Sequence, residues 1–146
     1  VKIPWGVLLL FAGGITIAKA FQYSGLSSDM AMLIAGVSAL PVIVMIAAIA
    51  LAVTFLTEAT SNTASTSLLM PLLAATAMAA NIDPVLLMVP AAMSASCAFM
   101  LPVATAPNSV VYGSGLVTTK EMARQGFALN LFGAFIITVV CYLSLT

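Results

Sequence analysis

Two groups of residues in this chain have the types and spacing to bind ions. The first is Ser61-Asn62-Thr63, in the middle of the polar run TEATSNTASTS, residues 57–67. The second is PVATAPN, residues 102–108, bracketed by Pro102 and Pro107. Each carries an Asn, Asn62 and Asn108, whose carboxamide can accept toward a cation and donate to an anion. Their small neighbours let backbone approach a ligand closely. Carbonyls freed at the C-terminal ends of interrupted helices can coordinate Na⁺. Free N–H groups at N-terminal ends can hold a carboxylate. Paired interruptions of this kind point to the binding site of a secondary transporter. From the residues alone a plainer reading stays open for each. A Ser/Thr run can be an exposed loop, and two prolines can mark a mere kink. Glu58 is a functional residue if it lies within the membrane and a solvated one if it does not.

The surroundings of these groups exclude most other chemistry. The chain has 146 residues, 63% hydrophobic and 5% charged. A soluble domain carries about 25% charged residues, so this composition defines an integral membrane protein. There is no His, which removes Ser-His catalysis and His-based metal sites. Ser61 would need a base, and no enzyme is expected. Cys97 and Cys141 both fall in apolar segments and read as core residues. Net charge is zero, and nucleic acid is not an expected partner. The chain starts at Val1 without a signal-peptide pattern, which suggests a piece of a longer protein.

The elements that must position the two groups follow from the apolar runs. Residues 3–21 are long enough to span a bilayer. Residues 22–29 read as a loop, and 30–40 as a helix too short to cross. Residues 42–56 and 68–80 are two short apolar arms around a polar tip, the pattern of a re-entrant hairpin. Residues 81–84, Asn-Ile-Asp-Pro, read as a turn. Residues 85–101 and 110–117 read as one broken helix with an unwound middle. A charged loop is expected at 118–124, followed by a last span at 126–145. Irregular backbone at membrane depth must be buried or line a cavity, and tip and break are two such islands.

Ser61-Asn62-Thr63 resembles the Ser-Asn-Thr motif of the divalent anion/sodium symporter family. Ala95-Ser96, Phe99, Pro102-Val103-Ala104, Asn108 and Val110-Val111 resemble that family's signature around its last broken helix. The resemblance runs along essentially the whole chain and covers only the second of the family's two inverted repeats.

It implies an all-α membrane fold, the second repeat of an elevator-type transporter. Residues 1–40 would be a scaffold-side helix and an arm. Residues 41–146 would belong to the transport part, with the hairpin at 42–80, the broken helix at 85–117 and the last helix at 126–145. It implies Na⁺ as coupling ion, held by Thr57, Thr60, Asn62 and Ala104, mainly through carbonyls. Substrate would meet Asn62 and Thr63, with Thr105, Ala106 and Pro107 shaping the wall. Thr63 at the third motif position tilts the substrate from sulfate toward a C4-dicarboxylate such as succinate, or citrate. A sulfate symporter of the same family is the alternative, and an anion channel subunit a more distant one. The resemblance further implies a multi-pass protein of the inner (plasma) membrane, completed by an N-terminal repeat and working as a homodimer. Neither polar group has a Lys or Arg near it in sequence. A dianion would therefore be neutralised by co-bound Na⁺, which makes its affinity depend on Na⁺.

Overall fold

A computed structural model describes residues 41–146 throughout and, before them, residues 9, 12, 13, 15–17, 19, 20, 23–26 and 29. The expected arm at 30–40 and much of the expected span at 3–21 lie outside the described residues. Five helices follow in order from residue 41: α1 (Val42–Ala59), α2 (Asn62–Ala79), α3 (Val85–Ser94), α4 (Ala106–Gly113) and α5 (Thr119–Leu145). The described residues contain no strand. Helices α1 and α5 are long and apolar enough to cross a membrane.

The polar run breaks the chain far less than its composition suggests. The backbone leaves the helix only at Thr60 and Ser61, both extended. The tip expected to be irregular from residue 58 to 65 is helical on both sides of that pair. The hydroxyls explain it. Thr60 Oγ1 donates to Leu56 O at 2.9 Å, and Thr66 Oγ1 to Asn62 O at 2.8 Å. Side chains that turn back onto the preceding turn satisfy themselves without unwinding the helix. Each arm is therefore 18 residues long, not fifteen or thirteen, or about 27 Å.

The two arms splay, and α3 packs between them. Met45 of α1 and Ala77 of α2 share a buried cluster with Leu87 of α3. Further along α1, Val53 meets Ala91 and Ala95, with Leu69 and Met70 of α2 closing the side. On the other face of α1, Ile46 and Ala50 pack on Ala134, Ile137 and Cys141 of α5. Small residues at this crossing let the backbones approach, as membrane helices require. Phe55 and Phe127 stack across the same pair, with ring centroids 5.7 Å apart.

The turn expected at 81–84 has a specific form. Asn81 is left-handed, with φ 56°. Ile82 N donates to Ala77 O at 2.9 Å and Asn81 N to Met78 O at 3.2 Å. That pair is a Schellman cap, which an Asn can close in place of Gly.

The last helix starts earlier than expected, at Thr119 rather than Gly126. The residues taken for a charged loop form its first turns. Thr118 Oγ1 accepts from Glu121 N at 3.2 Å, and Glu121 Oε2 accepts from Thr118 N at 2.9 Å. This reciprocal capping box satisfies two amides that would otherwise be orphaned. Thr118→Ala is expected to lower stability by about 1 kcal/mol, read as a downward shift in thermal unfolding of the detergent-solubilised protein. No change in melting would show that the cap is dispensable.

Candidate functional site

The break between α3 and α4 runs over residues 95–105, beginning well before Pro102. Its position is set by Glu58, at the end of α1. Glu58 Oε1 accepts from Phe99 N at 2.7 Å and Met100 N at 2.8 Å, and Oε2 from Leu101 N at 3.0 Å. Three successive amides of unwound backbone are thus bound by one carboxylate. It is 6% exposed, and no cation pairs with it among the described residues. An unsatisfied amide at such depth would cost several kcal/mol. A charge-assisted bond to each is the strong way to avoid that.

Several carbonyls of the break are matched from α4. The Asn108 carboxamide donates to Ala98 O at 2.9 Å and Leu101 O at 3.0 Å. Ser109 Oγ donates to Pro102 O at 2.6 Å. Thr105 is extended and caps α4, accepting from Asn108 N at 3.3 Å. Asn130 of α5, fully buried, donates from Nδ2 to Glu58 Oε1 at 2.7 Å and accepts weakly from Phe99 N at 3.3 Å. One turn before it, a Cβ on Gly126 would lie 2.2 Å from Phe99 O and 2.6 Å from Met100 Cα. Only glycine lets the break lie directly on α5.

The tip meets the break from the other side. Thr57 is fully buried. Its hydroxyl lies 3.0 Å from Ala95 O and 2.6 Å from Asn62 Oδ1. With one proton it donates to one of them at a time. It therefore stitches α1 to the end of α3 and steers the Asn62 carboxamide. Thr60 Oγ1 and Ser65 Oγ share a further hydrogen bond at 2.5 Å.

These contacts border an open cavity of about 630 Å³ between tip and break. Thr60, Ser61, Asn62, Ala104, Thr105 and Ala106 all line it, as do Glu58 and Ser109. The C-terminal end of α1 and the N-terminal ends of α2 and α4 converge there. The end of α1 thus offers partial negative charge, and the starts of α2 and α4 offer partial positive charge. Its lining contains oxygen donors and no Lys or Arg. That donor set fits a hard monovalent cation, and a cluster of His, Cys, Asp and Glu ligands is absent among the described residues.

The residues read from sequence do not all fall in this cavity. Thr57 stands behind the wall and acts through Asn62. Thr63 lines a second cavity of about 540 Å³ on the far side of the tip, with Thr66 and Ser96. Asn62 borders both cavities. Pro107 borders neither and instead occupies the first turn of α4. Asn108 turns inward as a brace, its carboxamide used by two carbonyls of the break. The sequence reading left Glu58 open and passed over Asn130. The available signal was the isolation of Asn130 among apolar residues, because polar side chains inside membranes are seldom idle.

A helical hairpin whose tip faces an interrupted helix, with two helices long and apolar enough to cross a membrane, fits an all-helical membrane protein. Residues 1–144 match the sodium:sulfate symporter transmembrane region, and the chain belongs to that family. It is 48% identical over 143 residues to a sodium-dependent dicarboxylate transporter, SdcS, of Staphylococcus saprophyticus, covering 96% of this chain. It is 45% identical over 141 residues to the SdcS transporter of Staphylococcus aureus (strain USA300), covering 97% of this chain. In both cases the chain spans 27% of the relative's length. These relatives are named as transporters, not as enzymes.

Proposed function

We propose that this chain is the C-terminal part of a secondary-active symporter that couples Na⁺ to uptake of a C4-dicarboxylate such as succinate. The observation that carries the reading is the cavity between tip and break. It is lined by oxygen donors and helix ends of both signs, and it has no protein cation. Family membership and the names of the relatives support the same reading.

Na⁺ would sit toward Thr60, Asn62 and Ala104, with Thr57 holding the Asn62 carboxamide in place. The anion would meet Asn62 and extend toward Thr63, with Thr105 and Ala106 at the α4 end. Because Asn62 borders both cavities, one side chain serves both ions. A dianion placed there without the cation would face the Glu58 carboxylate across the cavity. Na⁺ relieves that repulsion, so each ligand raises the affinity for the other by the same factor. An N-terminal repeat would supply the rest of the substrate site. Hairpin, break and α5 would move together against a dimerising scaffold in the inner (plasma) membrane, in the manner of an elevator.

Competition checks the substrate class. Na⁺-driven uptake of labelled succinate by the full-length carrier should be suppressed by unlabelled malate or fumarate and spared by sulfate. Suppression by sulfate, with labelled sulfate itself accumulated, would make the protein a sulfate symporter. Conductance without accumulation would make it a channel.

A further inference from the structure

We propose that Asn130 is a positioning residue for the cation side of the cavity, although it does not line that cavity. The inference rests on the symport reading above. Asn130 is fully buried in α5, and both ends of its carboxamide are used. Nδ2 donates to Glu58 Oε1 at 2.7 Å, and Oδ1 lies 3.3 Å from Phe99 N. One side chain thus joins the last helix to the end of the hairpin's first arm and to the middle of the break.

The consequence is geometric. Oε1 receives three donors, from Phe99, Met100 and Asn130, whereas Oε2 receives only Leu101. Asn130 therefore sets the rotation of the carboxylate, and the carboxylate sets the separation of the two cavity walls. Those walls are residues 58–62 on one side and 103–106 on the other. Gly126, on the same face of α5 one turn earlier, seats the break against the helix. Without Asn130 the two walls remain joined by Glu58 but lose their fixed height on α5. Cation affinity, which depends on several oxygens at set distances, should fall before translocation does.

Asn130→Leu keeps the branched shape and removes both hydrogen bonds. Asn130→Ser keeps a short hydroxyl and guards against a variant that fails to fold. The full-length carrier is reconstituted, and succinate uptake per reconstituted protein is measured against Na⁺ concentration. Asn130→Leu should raise the half-saturating Na⁺ concentration at least about fivefold, the low end of ordinary coupling between sites. Maximal uptake should stay within about twofold of wild type, and Asn130→Ser should fall between the two. An unchanged half-saturating concentration overturns the proposal, as does a fall in maximal uptake alone, which is what a purely structural role produces. Wild-type uptake that ignores Na⁺ would instead overturn the symport reading on which the proposal stands.

Discussion

Replacing Glu58 with alanine is expected to abolish Na⁺-driven uptake and to leave little folded protein. The substitution strands the amides of Met100 and Leu101 and one donor of Asn130, and leaves Phe99 N only its weak bond to Asn130 Oδ1. Each buried group left without a partner costs about 1–3 kcal/mol. The sum is comparable to the whole stability of a typical domain, about 5–15 kcal/mol. Glu58→Gln separates the role of the carboxylate from that of the side chain's bulk. Its carbonyl can replace one oxygen, but its NH₂ must then face an N–H that needs an acceptor. Glu58→Gln is therefore expected to melt at a lower temperature than wild type and higher than Glu58→Ala, with uptake strongly reduced. Measuring yield, melting temperature and uptake of the three proteins together checks this. Wild-type behaviour in Glu58→Gln would mean that the break does not need both oxygens.

The second large effect is expected at Gly126. A methyl group there would lie 2.2 Å from Phe99 O and 2.4 Å from Phe99 C. These are backbone atoms, pinned in turn by Glu58, so no side chain can swing aside. Overpacking in a tight interior costs about 1–3 kcal/mol and sometimes more. Gly126→Ala is expected at or above the top of that range, and Gly126→Val is expected not to fold. Gly133, two turns along the same helix, is the control. A Cβ there would meet Cys97 Sγ at 3.5 Å, an ordinary contact. Gly133→Ala should leave the melting temperature unchanged or raise it, since Ala is the better helix former by about 1 kcal/mol. Equal melting of the two alanine variants would contradict the packing of the break on α5.

Much of this arrangement could be read from the chain before its fold was known. The concentration of polar residues at 57–67 and 102–108 located the two interruptions, because apolar chain cannot unwind in lipid unaided. The extent of each interruption was not readable, for opposite reasons. At the tip, Thr60 and Thr66 return their hydroxyls to their own helices, so a polar run that looked like a loop stays helical. At the break, the prolines were taken as the cause, yet the chain leaves the helix after Ser94. The amides it frees go to Glu58, whose sequence separation from them is 41 to 43 residues. Local propensity carries no trace of such a bond. For the same reason Asn130 carries no local mark of its bond to Glu58, and Asn108 reads as a motif residue able to meet either ion, whereas its carboxamide braces the break. Thr118 and Glu121 did carry a local signal, the Thr-x-x-Glu spacing of a capping box, but their polarity read more simply as a loop.

Asn62, with its carboxamide held by Thr57, borders both cavities and is the residue on which both ions depend in the proposed symport. The most direct test is uptake of radiolabelled succinate into proteoliposomes of the full-length carrier, driven by an inward Na⁺ gradient or an equal K⁺ gradient. Wild type and Asn62→Ala are compared. The account predicts accumulation by wild type with Na⁺ only, and loss of nearly all of it in Asn62→Ala even at high Na⁺. Wild-type uptake that proceeds equally with K⁺, or Asn62→Ala uptake equal to wild type, would contradict the claim that tip and break bind the two ions together.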